Sequence, residues 1–473
     1  FPQNTQISSI PQENLGEKQR ISLAKQENKI GNKFWKKKDF ALALEQFRLA
    51  SELNPKKSLY YFNSGYSAKR LGRTEEAAQW FKQAVEVAVV QEDFKYIDKS
   101  NQALLGLYKI DPAWAKEKNR AASQFPDTPE IRQARKESIR LKQLIGKNYR
   151  SGNYTEALSL ALKDLQITKG NFGENHPYTI SSFDNLARLY ETLGRYSDAE
   201  SLQKKALRLR REVLGETHPN TLTSLQNLAY LYQSQGRYAD AEPLYLKVLS
   251  LRKNVLGEKH PNTINALSSL ASLYDSQGRY ADAEPLTEKV LRLLQKLLGE
   301  KHPSTIDAIS KLGRLYDSQG RYSEAEPLLE KAFSLSIKVR GTIHPVTLDY
   351  ADNLALFFSH IGRYSDAELL YEKVLQKSIE ILGEKHPDTL TTAGSLAELY
   401  RKQGRYADAE PLYKKTLRLT QETFGEKHPS TLISLGNLAL LFSEQSRYSE
   451  ALSLAEKSLQ IRIEILGEKH PDT

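Results

Sequence analysis

The phrase LGEKHPDT runs from Leu382 to Thr389 and returns letter for letter at Leu466 to Thr473. Six variants stand elsewhere: FGENHPYT, LGETHPNT, LGEKHPNT, LGEKHPST, RGTIHPVT and FGEKHPST. Their His-Pro pairs begin at His176, His218, His260, His302, His344, His386, His428 and His470. Every step has the same length, a 42-residue period repeated seven times without insertion. A fixed period of this size marks stacked supersecondary units, none of which can bury its apolar face alone.

One period reads as two helices. After His386, Pro387 suits the first helical turn, where its missing N–H is not needed. Leu390, Ala393, Leu396, Ala397 and Tyr400 then form an apolar stripe at helical spacing. Gly404 ends this helix, because glycine takes the left-handed cap conformation. Ala409, Leu412, Tyr413 and Leu417 mark the second helix, and Gly425 ends it. Pro411 requires that this helix begin within about four residues upstream, where an N–H would be unpaired. The turn therefore falls at Gly404-Arg405-Tyr406. LGEKHP is then the hinge between units: glycine stops a helix, two charged residues face water, and His-Pro starts the next helix.

Ahead of His176 the register changes. Residues 30–57 align with residues 64–90 at an offset of 34, pairing Gly31 with Gly65, Ala43 with Ala77, Phe47 with Phe81 and Ala50 with Ala84. The expected organisation is a flexible lead over residues 1–22 and two 34-residue repeats over 23–91. A helical connector with an irregular repeat follows over 92–175, then seven 42-residue repeats over 176–469. Residues 470–473 begin an incomplete unit.

The composition removes several functions. No apolar run approaches the ~20 residues of a membrane-spanning helix, and without cysteine there is no disulfide, thiolate metal site or cysteine nucleophile. The formal charge of +10 is confined to residues 1–175, which hold 30 Lys and Arg against 20 Asp and Glu; the remainder balances at 38 against 38. A nucleic-acid-binding solenoid would carry its basic stripe along its length, so no nucleic acid is expected. The densest basic stretch, Ile131 to Arg150, has seven basic residues opposed by Glu137 alone and could meet an acidic partner. These features suit a soluble cytoplasmic protein, or an exported one if Phe1 follows a removed signal segment.

Two helices in a 34-residue unit, with small residues at the eighth and twentieth positions and Pro55 at the thirty-second, resemble the tetratricopeptide repeat. The 42-residue form, with GRY-x-DAEPLY and LG-x-x-HP, is similar to the repeats of kinesin light chain and of many bacterial multi-repeat proteins. The resemblance implies an all-α, right-handed superhelical solenoid of antiparallel helix pairs. It also implies a non-enzymatic scaffold that binds a protein or peptide partner, without cofactor. Kinesin light chain has a heptad coiled coil where this chain has 34-residue repeats. Similar bacterial arrays adjoin peptidase or ATPase domains, but no phosphate-binding Gly-rich loop or Cys-His pair occurs here.

The recurrent histidines read as helix starts, since equivalent positions on stacked repeats are about 10 Å apart, too far to share an ion. His360, outside the motif, reads as an ordinary polar surface residue. The turn arginines, Arg195 to Arg447, each precede an acidic residue by three positions and read as local ion pairs. Tyr190, Tyr232, Tyr274, Tyr316 and Tyr400 read as packing.

What varies is more informative. In the resembling repeats the first helices line the concave face, and an asparagine there hydrogen-bonds an extended peptide backbone. The matching positions are Asn185, Asn227, Ser269, Lys311, Asn353, Ser395 and Asn437. Three residues on come Arg188, Tyr230, Ser272, Arg314, Leu356, Glu398 and Leu440. The candidate groove is therefore Asn185, Arg188, Asn227, Tyr230, Lys311, Arg314, Asn353 and Asn437. It is basic in the middle and apolar at the last repeat, around Ile433, Gly436 and Leu440. Two alternatives remain. The apolar last helix, with Leu452 and Leu459, could support head-to-tail self-association into filaments. The array could also be the sensor part of a larger effector that continues beyond Thr473.

Overall fold

The computed structural model describes residues 17–90, 96, 99, 103 and 128–466. Twenty helices and no strand occur among them, in antiparallel pairs that make an all-helical solenoid. Glu17–Lys36 pairs with Phe40–Leu53, Ser58–Arg70 with Thr74–Val90, and Pro129–Arg150 with Tyr154–Phe172. The seven 42-residue units follow, from Pro177–Thr192 with Tyr196–Leu214 to Pro429–Glu444 with Tyr448–Leu466. Helix therefore starts at Glu17, inside the stretch expected to be a lead; most of the expected connector and residues 470–473 lie outside the described residues.

The recurrent phrase is a joint made of four interlocking parts. Its glycine has φ between 81° and 91° with ψ between 162° and 172° in all seven described copies, from Gly173 to Gly425. That region is essentially closed to residues with a Cβ. The histidine is the N-cap: His386 Nδ1 accepts the Asp388 N–H at 3.2 Å, and the other six repeats do the same. Proline occupies the first helical position. The threonine three residues after the histidine is buried and, in three joints, reaches back to the glycine carbonyl: Thr179 to Gly173 at 2.7 Å, Thr221 to Gly215 and Thr431 to Gly425 at 2.8 Å. The charged residues of the phrase do more than face water. Its glutamate pairs with a lysine of the following second helix, as in Lys247–Glu216 at 2.5 Å and Lys457–Glu426 at 2.9 Å.

The turn within each unit is a different device. Gly404 has φ +71°, and the Arg405 N–H returns to the Tyr400 carbonyl at 2.9 Å, the reverse-capping bond of a Schellman motif. The second helix begins at Tyr406, so Pro411 is its sixth residue, past Ala409, whose N–H already bonds the Arg405 carbonyl at 3.1 Å. Pro243, Pro285 and Pro327 lie the same way inside their helices. The expected four-residue limit is exceeded because the second turn gives up one hydrogen bond.

Arginine in this turn ties neighbouring units together. Arg321 bonds Glu324 locally at 2.8 Å, reaches Glu284 of the preceding unit at 2.8 Å, and lies 4.0 Å from the centre of the Tyr316 ring. The inter-unit pair recurs six times, from Arg237–Glu200 to Arg447–Glu410, at 2.5–2.9 Å. The tyrosines that read as packing are thus also platforms for the arginines, with Phe358 and Phe442 taking the role in two units. His360 likewise bridges units, its Nδ1 lying 2.9 Å from Asp317 Oδ2.

The solenoid turns until it meets itself. His386 Nε2 donates to the Arg150 carbonyl at 2.8 Å, and His428 Nε2 to the Thr192 carbonyl, both 236 residues away in sequence. Pro387 and Pro429 lie against the turns at Gly152 and Gly194, where an added Cβ would come within 3.0 Å of the proline Cδ. Phe424 stacks on Tyr154 with centroids 5.7 Å apart. Lys82 Nζ reaches the Lys296 carbonyl at 2.9 Å. One superhelical turn therefore takes between five and six 42-residue units, and histidines that cap helices in one coil also satisfy helix C-terminal carbonyls in the coil beside it. Both ring nitrogens are used, which fixes the neutral tautomer with hydrogen on Nε2.

Two consequences are measurable. Ser446 replaces the turn glycine in the last unit and sits at φ +61°, a conformation that costs a non-glycine residue roughly 1 kcal/mol. Ser446→Gly should therefore raise stability by about 1 kcal/mol in denaturant unfolding. His176 stacks on Phe172; burial first, then Arg135 and Lys142, holds its pKa down to about 4 against an ordinary 6.5. Between those values the unfolded chain binds the extra proton, so this stability is complete above pH 6.5 and is lost as pH falls toward 4. His176→Asn keeps a capping oxygen without the titration and should remove roughly 2 kcal/mol of the stability difference between pH 7 and 4.5.

Candidate protein-interaction groove

Neighbouring first helices approach one another more closely than neighbouring second helices, which puts the first helices on the inside of the curve. Side chains cross from each first helix to the next: Gln226 to Asn265 and Ser269, both at 2.8 Å, Gln233 to Ser276 at 3.1 Å, and Thr392 to Asp352 at 2.6 Å. The inner face is thus one continuous surface. It carries the candidate residues in two parallel rows, one turn apart along each helix.

Asn185, Asn227, Asn353 and Asn437 are half-buried, and no side-chain hydrogen bond within the described residues uses any of their amides. Each presents two donors and an acceptor to the groove. Their counterparts in other units are spent: Ser269 accepts from Gln226, and Lys311 pairs with Asp307 at 2.9 Å. In the second row Arg188 is exposed and lies 4.6 Å from the Tyr149 ring centre, Tyr230 is 57% exposed, and Arg314 is exposed. The structure brings Asn185, Arg188, Asn227 and Tyr230 together on the first two units, and Lys311, Arg314 and Asn353 on the fourth and fifth. Asn437 stands apart, on the last described first helix, whose His428 touches the first unit across the coil contact.

Two recesses open on this face. One, of about 390 Å³, lies between the third, fourth and fifth units beside Asn265, Asp307, Lys311 and Tyr350. The other, of about 320 Å³, lies between the fifth, sixth and seventh, beside Leu356, Leu390, Gly394, Ile433 and Asn437. The basic helix Pro129–Arg150 is partly committed to the fold: Lys142 donates to the Tyr178 carbonyl at 3.2 Å and lies 3.7 Å from the buried Asp164. On the last helix Leu452 and Leu459 are exposed.

A tetratricopeptide repeat model matches residues 144–212, 193–253, 225–296, 276–338, 346–419 and 388–464. The chain is a tetratricopeptide repeat protein. A second tetratricopeptide repeat model matches residues 28–88 and 310–380. Among solved structures, the tetratricopeptide array is similar to a putative kinesin light chain of Podosopora anserina with nearly identical repeats. Identity is 29%, over 44% of this chain and 98% of that one, with a TM-score of 0.37. BtubC (BKLC) from P. vanneervenii is 20% identical over 53% of this chain and 94% of that one, with a TM-score of 0.38. Yeast Tom70 is 15% identical over 93% and 92%, with a TM-score of 0.44. No curated protein matches.

The candidate rows omit a third that lies immediately before the asparagines in each tetratricopeptide unit: Asp184, Gln226, Ser268, Ser310, Asp352, Gly394 and Gly436. In the first two units it reaches an arginine of the second helix. In the first unit Asp184 receives Arg210, which also bonds Ser224. In the second unit the arginine remains as Arg252, 3% exposed, but the aspartate has become Gln226. Burial without a counter-charge pulls the Arg252 pKa down to about 10. The fifth unit has the reverse defect, Asp352 with Ser378 in the arginine's place. The pairing is readable as a constant separation between the two rows, the same for Asp184 and Arg210 as for Gln226 and Arg252. Gln226→Asp should restore the first unit's arrangement and stabilise the fold by roughly 1–2 kcal/mol in denaturant unfolding, with the gain absent in an Arg252→Leu background.

Proposed function

We propose that this tetratricopeptide protein is a non-enzymatic interaction scaffold that holds an extended segment of a partner protein along the inner face. The observation that carries the reading is the set of four inward asparagine amides, Asn185, Asn227, Asn353 and Asn437, that the fold itself does not use. A half-buried amide with no internal partner has lost some of its water without gaining a hydrogen bond. An extended backbone offers one donor and one acceptor per residue and suits such amides spaced along a groove. The residues between them, Arg188, Tyr230, Lys311 and Arg314, differ from unit to unit and give the groove selectivity on a constant frame.

The test is a random dodecapeptide display library panned on the full chain. Peptides that enrich should bind Asn227→Ala/Arg314→Ala at least tenfold more weakly, a loss of about 1.4 kcal/mol or more. Thermal unfolding should be unchanged, because neither side chain hydrogen-bonds among the described residues. Peptides that bind the double variant as well as the natural chain would place the interaction elsewhere.

A further inference from the structure

We infer that the recess between the fifth, sixth and seventh 42-residue units takes a partner segment in which a lysine or arginine neighbours a bulky apolar side chain. This rests on the reading of the inner face as a peptide groove and specifies what one part of that groove selects.

The apolar half of the site is open volume. Gly394 and Gly436 stand where other units have Asp, Gln or Ser, and a Cβ at either would meet nothing within 4 Å. The walls are Leu356, Leu390 and Ile433, of which Leu356 and Ile433 are 41% and 57% exposed. The recess of about 320 Å³ reaches the size at which pockets begin to bury a ligand. Asn353 and Asn437 belong to the two first helices on either side of it, so backbone contacts are available on both flanks. That favours a peptide over a free cation.

The lining of the recess carries one carboxylate, Glu398, and one ammonium, Lys402; the charge of the occupant follows from an excess of carboxylate just beyond one end. Asp352 Oδ2 accepts from Thr392 at 2.6 Å, while Oδ1 is buried with no hydrogen-bond partner. Asp184, the equivalent residue in the first unit, meets Arg210 through Oδ2; here the residue in the place of Arg210 is Ser378. Asp349 lies one turn before Asp352, and Asp388 begins the next first helix, one turn before Leu390 and Thr391 of the recess. Neither Asp349 nor Asp352 forms an ion pair among the described residues. The ionic neighbour of Asp388 is His386, 3.5 Å away and neutral as a cap. Lost hydration, then repulsion from Asp388, pushes Asp349 up to about 6 although its side chain keeps an open edge; burial, against the Thr392 bond and with repulsion from Asp349 and Asp388, pushes Asp352 up to about 7. A lysine or arginine brought alongside supplies the missing counter-charge, whereas an acidic segment adds to the repulsion. One helical turn, about 5–6 Å, separates Asp352 from Leu356 of the recess, and Asp388 directly follows Pro387 of its lining, so the basic and apolar side chains must be neighbours on the bound segment.

The dodecapeptide library also tests this assignment. Enriched peptides should carry Lys or Arg within two residues of Leu, Ile, Phe or Trp. A synthetic peptide of that pattern should lose at least tenfold in affinity for Gly394→Leu, which fills the recess at a helix position with room for it. It should lose as much for Asp349→Asn/Asp352→Asn, which removes charge and keeps shape. Circular dichroism melting of both variants guards against misfolding. Enriched peptides that are acidic or neutral, yet weakened by Asn227→Ala/Arg314→Ala, would overturn this assignment and leave the groove reading standing. Basic-apolar peptides indifferent to both recess variants would overturn it equally. If no enriched peptide responds to any inner-face substitution, both readings fall.

Discussion

The structure depends on the joint between units, and within it on a glycine at φ near +85° and ψ near 167°. Only glycine enters that region without a severe clash, so the chain leaves each second helix in one direction. The histidine cap, the proline at the first helical position and the buried threonine then fix where the next helix begins. Any one of these is worth on the order of 1 kcal/mol. Repeated seven times with the same spacing, they set a constant rotation from unit to unit. A constant rotation, accumulated, becomes a superhelix of definite pitch.

That pitch explains why the period tolerates no insertion. The coil contacts at Arg150 and Thr192 share one separation, 236 residues, because His386 and His428 are themselves one period apart, as are the two carbonyls. A single inserted residue in a turn between them would alter the rotation of one joint and carry His428 away from the Thr192 carbonyl. The carbonyls at Arg150 and Thr192 end their helices and would otherwise need water. The same imidazole thus starts one helix through Nδ1 and finishes another through Nε2. The bond accepted by Nδ1 requires the neutral ring, and for His428 burial lowers the pKa.

Much of this was legible in the sequence, and the limits have a physical cause. Contacts inside a unit recur with the period: the stripe from Leu390 to Tyr400, the cap glycines and the helix-start prolines are all local patterns. Pairs between adjacent units are half-legible. The bond of each turn arginine to the acid three residues later is visible as spacing, but its reach back to Glu200, Glu242 and their equivalents in the preceding unit needs the geometry of the stack. Coil-to-coil contacts are not legible at all, since a few degrees of error per joint, summed over five units, would move His386 far from Arg150. Pro411 shows the opposite limit: a local rule about unpaired N–H groups gives way where the packing of Tyr413 and Leu419 holds the helix together around it.

The same division separates the constant frame from the groove. Joint, turn and inter-unit arginine use backbone, glycine and half-exposed charges, none of them a residue of the inner rows. The inner rows are therefore free to differ, and they differ in ways the frame does not compensate. The first unit pairs Asp184 with Arg210 and is neutral; the second buries Arg252 against an amide; the fifth bonds Asp352 to Thr392 and has Ser378 where the first has Arg210. Each mismatch costs folding stability, because a charge removed from water without its opposite is unfavourable. Such a cost is supported by twenty helices packed in series, where local defects are diluted over many joints. On the proposed reading of the inner face, a charge that the fold leaves unpaired there is a difference in affinity between one partner and another.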